Sequence, residues 1–363
     1  MTVYRWLCTV AWVAIICAPA SAASEDLANI VETAAQYRRD GNMRLAIELL
    51  EKARAAAGLS CPARLIGELG ATYYQAHRLQ EAQESLKEAY AKAANRAERA
   101  LFANDLGNLS ASRGLKQDAI RYYQEARDIA SGDSSITVSA GLNLARLAPA
   151  DKRFQQLSSL SDEIGAIPDA RERARYSLNL GSQAGALGTA GTKLSYENLT
   201  RARALAVAAN DQWLIAESLD ALAQLYEDRG RHADALKLTD EAVAQLRSEQ
   251  TSDLLIKLEW RRGRILHKQG RDEQALQAYQ LAVDRIEAIR QDIPIDYVDG
   301  RSSFRETLEP IYLGLADLLL RQAATGGEQR AELFRRARDT VELIKQTELH
   351  HEFSVQQGPE HTV

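Results

Sequence analysis

The sequence predicts an all-α fold, a solenoid of about seven helix-turn-helix repeats followed by a C-terminal helical pair. Three observations lead there. The 363 residues are 45% hydrophobic but only 6% aromatic, with 7 Pro, and are rich in Ala, Leu, Arg, Glu and Gln, which lose little side-chain entropy in a helix. The stretches GRHADALKLTDEAV (230–243) and GRDEQALQAYQLAV (270–283) superpose with a shift of 40 residues, Gly on Gly, Ala235 on Ala275 and Leu236 on Leu276. A small residue recurs at one place in that pattern, at Ala46, Ala82, Ala119, Ala235 and Ala275.

The first segment, 1–22, is read as lying outside the fold. Arg5 supplies a single positive charge, LCTVAWVAIICA (7–18) a 12-residue apolar run, and Ala20-Ser21-Ala22 a small-residue cleavage site. This is the make-up of a secretory signal peptide, with cleavage expected after Ala22 and a periplasmic or secreted product. The run is too short to span a bilayer and no later stretch reaches about 18 apolar residues, so no stable membrane insertion is expected after cleavage. The rival reading is an uncleaved anchor. Cys8 and Cys17 would leave with the signal, so the mature chain would keep Cys61 alone and form no internal disulfide.

The repeat array is expected over 23–290. Ala34, Tyr37, Gly41, Ala46, Leu50 and Ala53 carry the first copy, and IGELGATYYQAHRLQEAQESLKEA (66–89) carries the second. The third places Leu106-Gly107, Gly114, Ala119, Tyr123 and Ala126 at matching offsets. Between 134 and 212 the pattern is degenerate: Asn143-Leu144-Ala145 and Asn179-Leu180-Gly181 keep two first helices, and GALGTAGTK (185–193) reads as an inserted loop. Leu222-Ala223, Tyr226, Gly230, Ala235 and Ala242 mark the sixth copy, and Gly270, Ala275 and Ala282 the seventh. Apolar residues at steps of three and four draw a stripe down each helix, and Gly or Ala at the crossings lets the backbones approach. Each pair leaves an apolar face that only a neighbouring pair can cover, which is why the pattern repeats.

QDIPIDYVDGRSS (291–303) reads as a polar linker, 304–353 as a helical hairpin split at Thr325-Gly326-Gly327, and 354–363 as a disordered tail. Phe334, Ala337, Val341 and Ile344 form the expected packing stripe of the second helix, and Pro310 is expected to begin or kink the first.

These residues resemble tetratricopeptide repeats, the TPR family. Ile66-x2-Leu69-Gly70-x2-Tyr73, followed by Ala82-x3-Leu86, matches the family pattern, with Ile66 in place of its leading Trp. The copies are longer than the usual unit, Ala46 to Ala82, Ala82 to Ala119 and Ala235 to Ala275 spanning 36, 37 and 40 residues. The resemblance covers roughly 25–290 and implies a right-handed solenoid. SFRETLEPIYLGLADLLL (303–320) with ARDTVELIKQTEL (337–349) is similar to the connector of TPR-CHAT proteins, in which repeats precede a caspase-like peptidase domain. That domain needs a catalytic His followed by a catalytic Cys. No Cys follows Cys61, so no catalytic residue of that family carries over onto this sequence.

Other chemistry is weakly signalled. Cys61 precedes Pro62 at a helix start, with no base nearby in sequence. His350 and His351 are adjacent, and adjacent residues on a helix do not share a face for a metal. GALGTAGTK lacks the Gly-Lys-Ser/Thr of a phosphate loop. The sequons at Asn108 and Asn198 matter only in a glycosylating host. No enzyme activity, cofactor or metal is therefore expected. The 45 basic and 50 acidic residues are mixed along the chain, net −5, with no basic stripe for nucleic acid.

What remains is surface, and the expected partner is a protein or an extended peptide. First helices of a TPR stack line its inner groove, which places Arg64, Tyr74 and Gln75 on one repeat and Asn104, Asn108 and Ser112 on the next. Asn amides can clamp an extended backbone and Arg can hold a carboxylate; the alternative is that these residues simply wet the groove. Further on, Glu217, Asp220, Glu227 and Asp228 of the sixth repeat oppose Lys257, Arg264, His267 and Lys268 of the seventh. Pairing between neighbouring repeats is the favoured reading of those charges, a partner surface the other.

Overall fold

The computed structural model describes residues 20–39, 42–130, 134–246, 253–290, 297–298, 301–302, 308–327 and 329–356. The expected signal peptide lies outside the described residues except for 20–22, as do Gly41, most of the 291–303 linker and the tail from 357.

Within the described residues the chain forms sixteen α-helices, taken in order as eight pairs. The first three pairs are α1 (Ala20–Arg39) with α2 (Met43–Ala57), α3 (Ala63–Gln75) with α4 (Leu79–Lys92), and α5 (Arg96–Ser112) with α6 (Lys116–Ile129). The fourth and fifth are α7 (Ser134–Leu147) with α8 (Ala150–Gly165) and α9 (Ala170–Gly185) with α10 (Thr192–Ala208). The sixth and seventh are α11 (Gln212–Asp228) with α12 (His232–Gln245) and α13 (Asp253–Lys268) with α14 (Asp272–Ala288). A short ribbon, β1 (Tyr297–Val298) against β2 (Arg301–Ser302), precedes the last pair, α15 (Glu309–Ala324) with α16 (Arg330–Gln356).

Each helix packs on its own partner, and each second helix packs on the first helix of the next pair. The fold is thus an all-α solenoid in which each pair's apolar face is covered by its neighbour. Local sequence sets the ends of the helices. Asn95, Asp169 and Asp211 accept hydrogen bonds from the backbone N–H three residues on, at 2.9, 2.8 and 3.1 Å, capping α5, α9 and α11. Gly230 and Gly270 stand where the repeated sentence turns, at φ of 72° and 71°, and the N–H after each donates back to the residue five before, Arg231 to Tyr226 and Arg271 to Leu266. His77 takes the same left-handed position in the second pair, at φ 58°.

The crossings explain the small residues. A Cβ at Gly107 would lie 2.5 Å from the Tyr123 ring, and one at Gly70 2.9 Å from Leu86. In the fourth pair the crossing residue is Gly141, where a Cβ would meet Leu160 at 2.6 Å. The Leu144-Ala145 motif therefore sits one helical turn past the crossing. The expected inserted loop over 185–193 is instead one 3-10 turn, Gly188–Gly191, flanked by the ends of α9 and α10.

The last pair continues the stack. Tyr279 of α14 is held between Gly263 of α13 and Gly314 of α15, and one buried cluster runs from Ala235 through Tyr312 to Ile344. Pro310 occupies the first turn of α15 and begins the helix. The buried stripe of α16 is Leu333, Ala337, Thr340 and Ile344; Phe334 is 42% exposed, with Arg330 over its ring. The predicted stripe is thus off by one residue at two of its four positions, Phe334 for Leu333 and Val341 for Thr340. Among the described residues no helix is long and apolar enough to cross a membrane.

The candidate groove

Polar contacts join the first helices of successive pairs. Arg38 of α1 donates to Thr72 of α3 at 2.7 Å and approaches Glu68 at 3.9 Å. Arg64 pairs with Glu68 at 2.8 Å. One pair further, Asp105 of α5 faces the Glu68 carboxylate. Desolvation pushes the Asp105 carboxyl up to about 7, Glu68 adds to the shift, and Arg64 opposes it.

The six residues expected in the groove divide. Arg64 and Gln75 are exposed, and Tyr74 is half-buried against the core beneath α3. Asn108 is half-buried and accepts a 2.9 Å hydrogen bond from the Tyr123 hydroxyl. Arg146 of α7 lies 3.5 Å from that hydroxyl, and burial pushes Tyr123 up to about 12. Ser112 is exposed and donates to Leu109 O at 2.9 Å, within its own last turn. Asn104 departs from expectation. It is 5% exposed, donates to Ser139 at 3.5 Å and accepts from Asn143 at 3.0 Å, so its amide binds the third pair to the fourth.

Sequence reasoning passed over Asp105, yet a signal for it exists. The residue two before the crossing glycine is Glu68 for Gly70, Asp105 for Gly107, Ser139 for Gly141, Asn179 for Gly181 and Arg261 for Gly263. This register position draws a polar ladder along the first helices, changing charge from acidic to neutral to basic.

Where the sixth and seventh pairs meet, the ladder is sealed by ions. Arg261 is 6% exposed; it donates to Asp220 through both the carboxylate and the backbone carbonyl, and to Gln224 at 2.8 Å. Arg264 stacks 4.7 Å over Trp260 and pairs with the buried Glu227 at 3.1 Å. Pairing across the joint was expected, but its centre is Arg261, which the sequence reading omitted. Among the expected residues, His267 instead contacts Asp272 at 2.8 Å within its own helix pair, and Asp228 accepts from Gln224 of its own helix.

A cavity of about 470 Å³ opens between α1, through Glu32 and Gln36, and the starts of α9 and α11, through Arg175, Trp213 and Glu217. Burial raises the Glu217 carboxyl, against the Trp213 indole, Arg175 and Lys257. The first pair and the fifth and sixth thus share one space.

Elsewhere chemistry is sparse. Cys61 is 6% exposed and burial pushes its thiol up, away from the nucleophilic thiolate. Among the described residues no group of three His, Cys, Asp or Glu could hold a metal ion. The side chains of His350 and His351 lie outside the described residues.

Residues 215–244, spanning most of α11 and α12, match the tetratricopeptide repeat family. Among solved structures, the human IFIT1 dimer with m7Gppp-AAAA is 14% identical, with 88% of this chain and 69% of that chain covered and a TM-score of 0.55. The APC/C hetero-tetramer Cut9-Hcn1 is 13% identical, with 88% and 57% covered and a TM-score of 0.50. A tetratricopeptide repeat protein from Parabacteroides merdae ATCC 43184 is 18% identical over 74% of this chain and 97% of that one, with a TM-score of 0.43. No curated protein matches the sequence. Residues 215–244 thus carry a tetratricopeptide repeat, and the helix pairs on both sides of it share their fold with these solved structures.

Proposed function

We propose that the protein is an exported, non-catalytic scaffold that binds an extended peptide or protein segment along the inner groove. The observation that carries this is the accessible polar row Arg64, Gln75, Asp105 and Asn108 on two successive first helices, mounted on packed pairs. Asn108 uses its carbonyl oxygen for Tyr123, and its amide nitrogen has no partner among the described residues. An extended backbone presents carbonyls and N–H groups at regular spacing, and amides on a rigid surface pair with both. Net charge of −5 and acids on the groove floor disfavour nucleic acid as the partner.

Selection of a displayed random-peptide library on the purified protein tests the reading. Enriched peptides should lose binding to an R64A/Q75A variant, which alters two exposed side chains, while helicity and melting stay unchanged. No enrichment, or equal binding to both proteins, overturns it. Export is tested separately: the mature protein should begin at Ala23, and intact mass retaining 1–22 after export would refute that. The second reading, the sensor half of a TPR-CHAT peptidase, is favoured by the docking of α15 on Tyr279, which makes the connector-like segment part of the stack. A His…Cys domain encoded just downstream of Val363 supports it; an unrelated neighbour rejects it.

A further inference from the structure

Glu68 and Asp105 occupy equivalent ladder positions one repeat apart, but their surroundings differ. Glu68 has two guanidinium groups at hand, Arg64 at 2.8 Å and Arg38 at 3.9 Å. Asp105 has no hydrogen bond or ion pair with any described residue. Arg64 and Glu68 of α3 act on the Asp105 carboxyl, and Asp105 in turn acts on Tyr123 of α6, which Tyr74 of α3 and Arg146 of α7 also approach. Arg64 is engaged by Glu68, Arg146 points to the Tyr123 hydroxyl, and that hydroxyl is given to Asn108. The chain thus places a half-buried carboxyl in the groove and commits the nearby cations elsewhere.

From this juxtaposition we infer that the groove recognises a peptide carrying one lysine or arginine, whose cationic group seats against Asp105 with Glu68 beside it. The inference rests on the groove reading above and names the partner's chemistry. Asp105 and Asn108 are three apart on α5 and share a face, so an acceptor for the side chain stands beside a free amide donor for the peptide carbonyl. An anionic group there would meet two carboxyls. A bare metal ion would find at most those two, one of them already paired with arginine. A ligand ammonium or guanidinium supplies the missing counter-charge through a charge-assisted hydrogen bond. The raised Asp105 carboxyl agrees with a site whose charge is uncompensated until the ligand arrives.

The same displayed-peptide selection, run on the wild-type protein and on Asp105→Asn, provides the test. Wild-type selection should enrich Lys or Arg at one position, and D105N selection should lose that preference. A synthetic peptide from the wild-type selection should bind D105N, and its own Lys→norleucine form should bind the wild type, roughly tenfold or more weakly. Titration calorimetry should show wild-type affinity rising from pH 5.5 to pH 8 as Asp105 ionises, and a flat profile in D105N. Asn is isosteric, and circular dichroism with thermal melting verifies its fold, with Asp105→Ser as a second variant. Enriched peptides without a basic position, or with equal affinity for D105N, overturn this inference and leave the groove reading intact. No enriched peptides at all overturn both.

Discussion

The Nε of Arg261 lies 3.3 Å from Oε2 of Glu227, an ionic contact between side chains that are each less than a tenth exposed. Asp220, Gln224 and Arg264 complete the cluster, so the α11–α13 joint rests on a buried polar network as well as on apolar contact. Such a network is costly to break from one side, because the remaining charge stays desolvated.

Arg261→Ala should therefore destabilise the protein by roughly 2 to 4 kcal/mol, below the largest values for buried pairs because Arg264 still faces Glu227. Urea denaturation measures the loss, and hydrogen exchange should localise it to α11 through α14. A loss under about 0.5 kcal/mol, the size usual for surface substitutions, would show that the cluster contributes nothing to the joint.

Gly107→Leu tests the crossing of α5 and α6. A Cβ there already meets the Tyr123 ring at 2.5 Å, so the larger side chain must push the ring aside at about 1 to 3 kcal/mol. Tyr123 also holds Asn108, which links packing to the groove. Exchange should quicken in α5 and α6 and in the adjacent α4 and α7, as expected of nearest-neighbour stacking. Exchange confined to α5 and α6, with α4 and α7 unchanged, would contradict that coupling.

These two sites also show what the sequence made legible. Gly107 and Tyr123 stand sixteen residues apart, as do Gly263 and Tyr279, so the crossings and hence the helix pairs can be read from spacing. Spacing fails where the pair is shortened: α7 meets α8 after only two residues, the crossing falls on Gly141, and the Leu144-Ala145 motif misleads by one turn. The groove was less legible, because neighbouring positions on a helix differ by about 100° in direction. Asn104 and Asp105 are adjacent, yet one turns into the joint and the other towards Glu68. Likewise Arg261 and Arg264 look alike in sequence, and only packing shows that Arg261 is buried.

Tyr312→Phe probes the last pair. The Tyr312 side chain is fully buried and its hydroxyl donates to Glu287 at 2.6 Å, tying α15 to α14. Removing the hydroxyl should cost about 1 to 2 kcal/mol, since Arg290 still satisfies Glu287. A lowered melting temperature with unchanged helicity is the expected result. A melting temperature equal to the wild type would mean that this bond adds nothing to docking of the C-terminal pair.

Asp105 gives the fold a dependence on pH whose sign is opposite to that of a salt-bridged carboxylate. Its folded value, about 7, stands above the ordinary carboxylate value it has in the unfolded chain. Below about pH 4 both states hold the proton and Asp105 contributes no difference. Between that value and about 7 the unfolded chain releases its proton first, so stability falls as pH rises, and above 7 the full cost of a desolvated charge is present. Asp105→Asn removes the charge and keeps the shape. Near pH 4 the variant and the wild type should differ little, and by pH 8 the variant should be the more stable by about 1 to 2 kcal/mol, a figure reduced from the full shift because water reaches the half-buried carboxyl. Denaturation curves of both proteins across this range isolate the effect, since every other titrating group is common to the pair. Parallel stability profiles would show that Asp105 ionises freely in the folded protein. The groove would then have no uncompensated acid for a cationic ligand to meet.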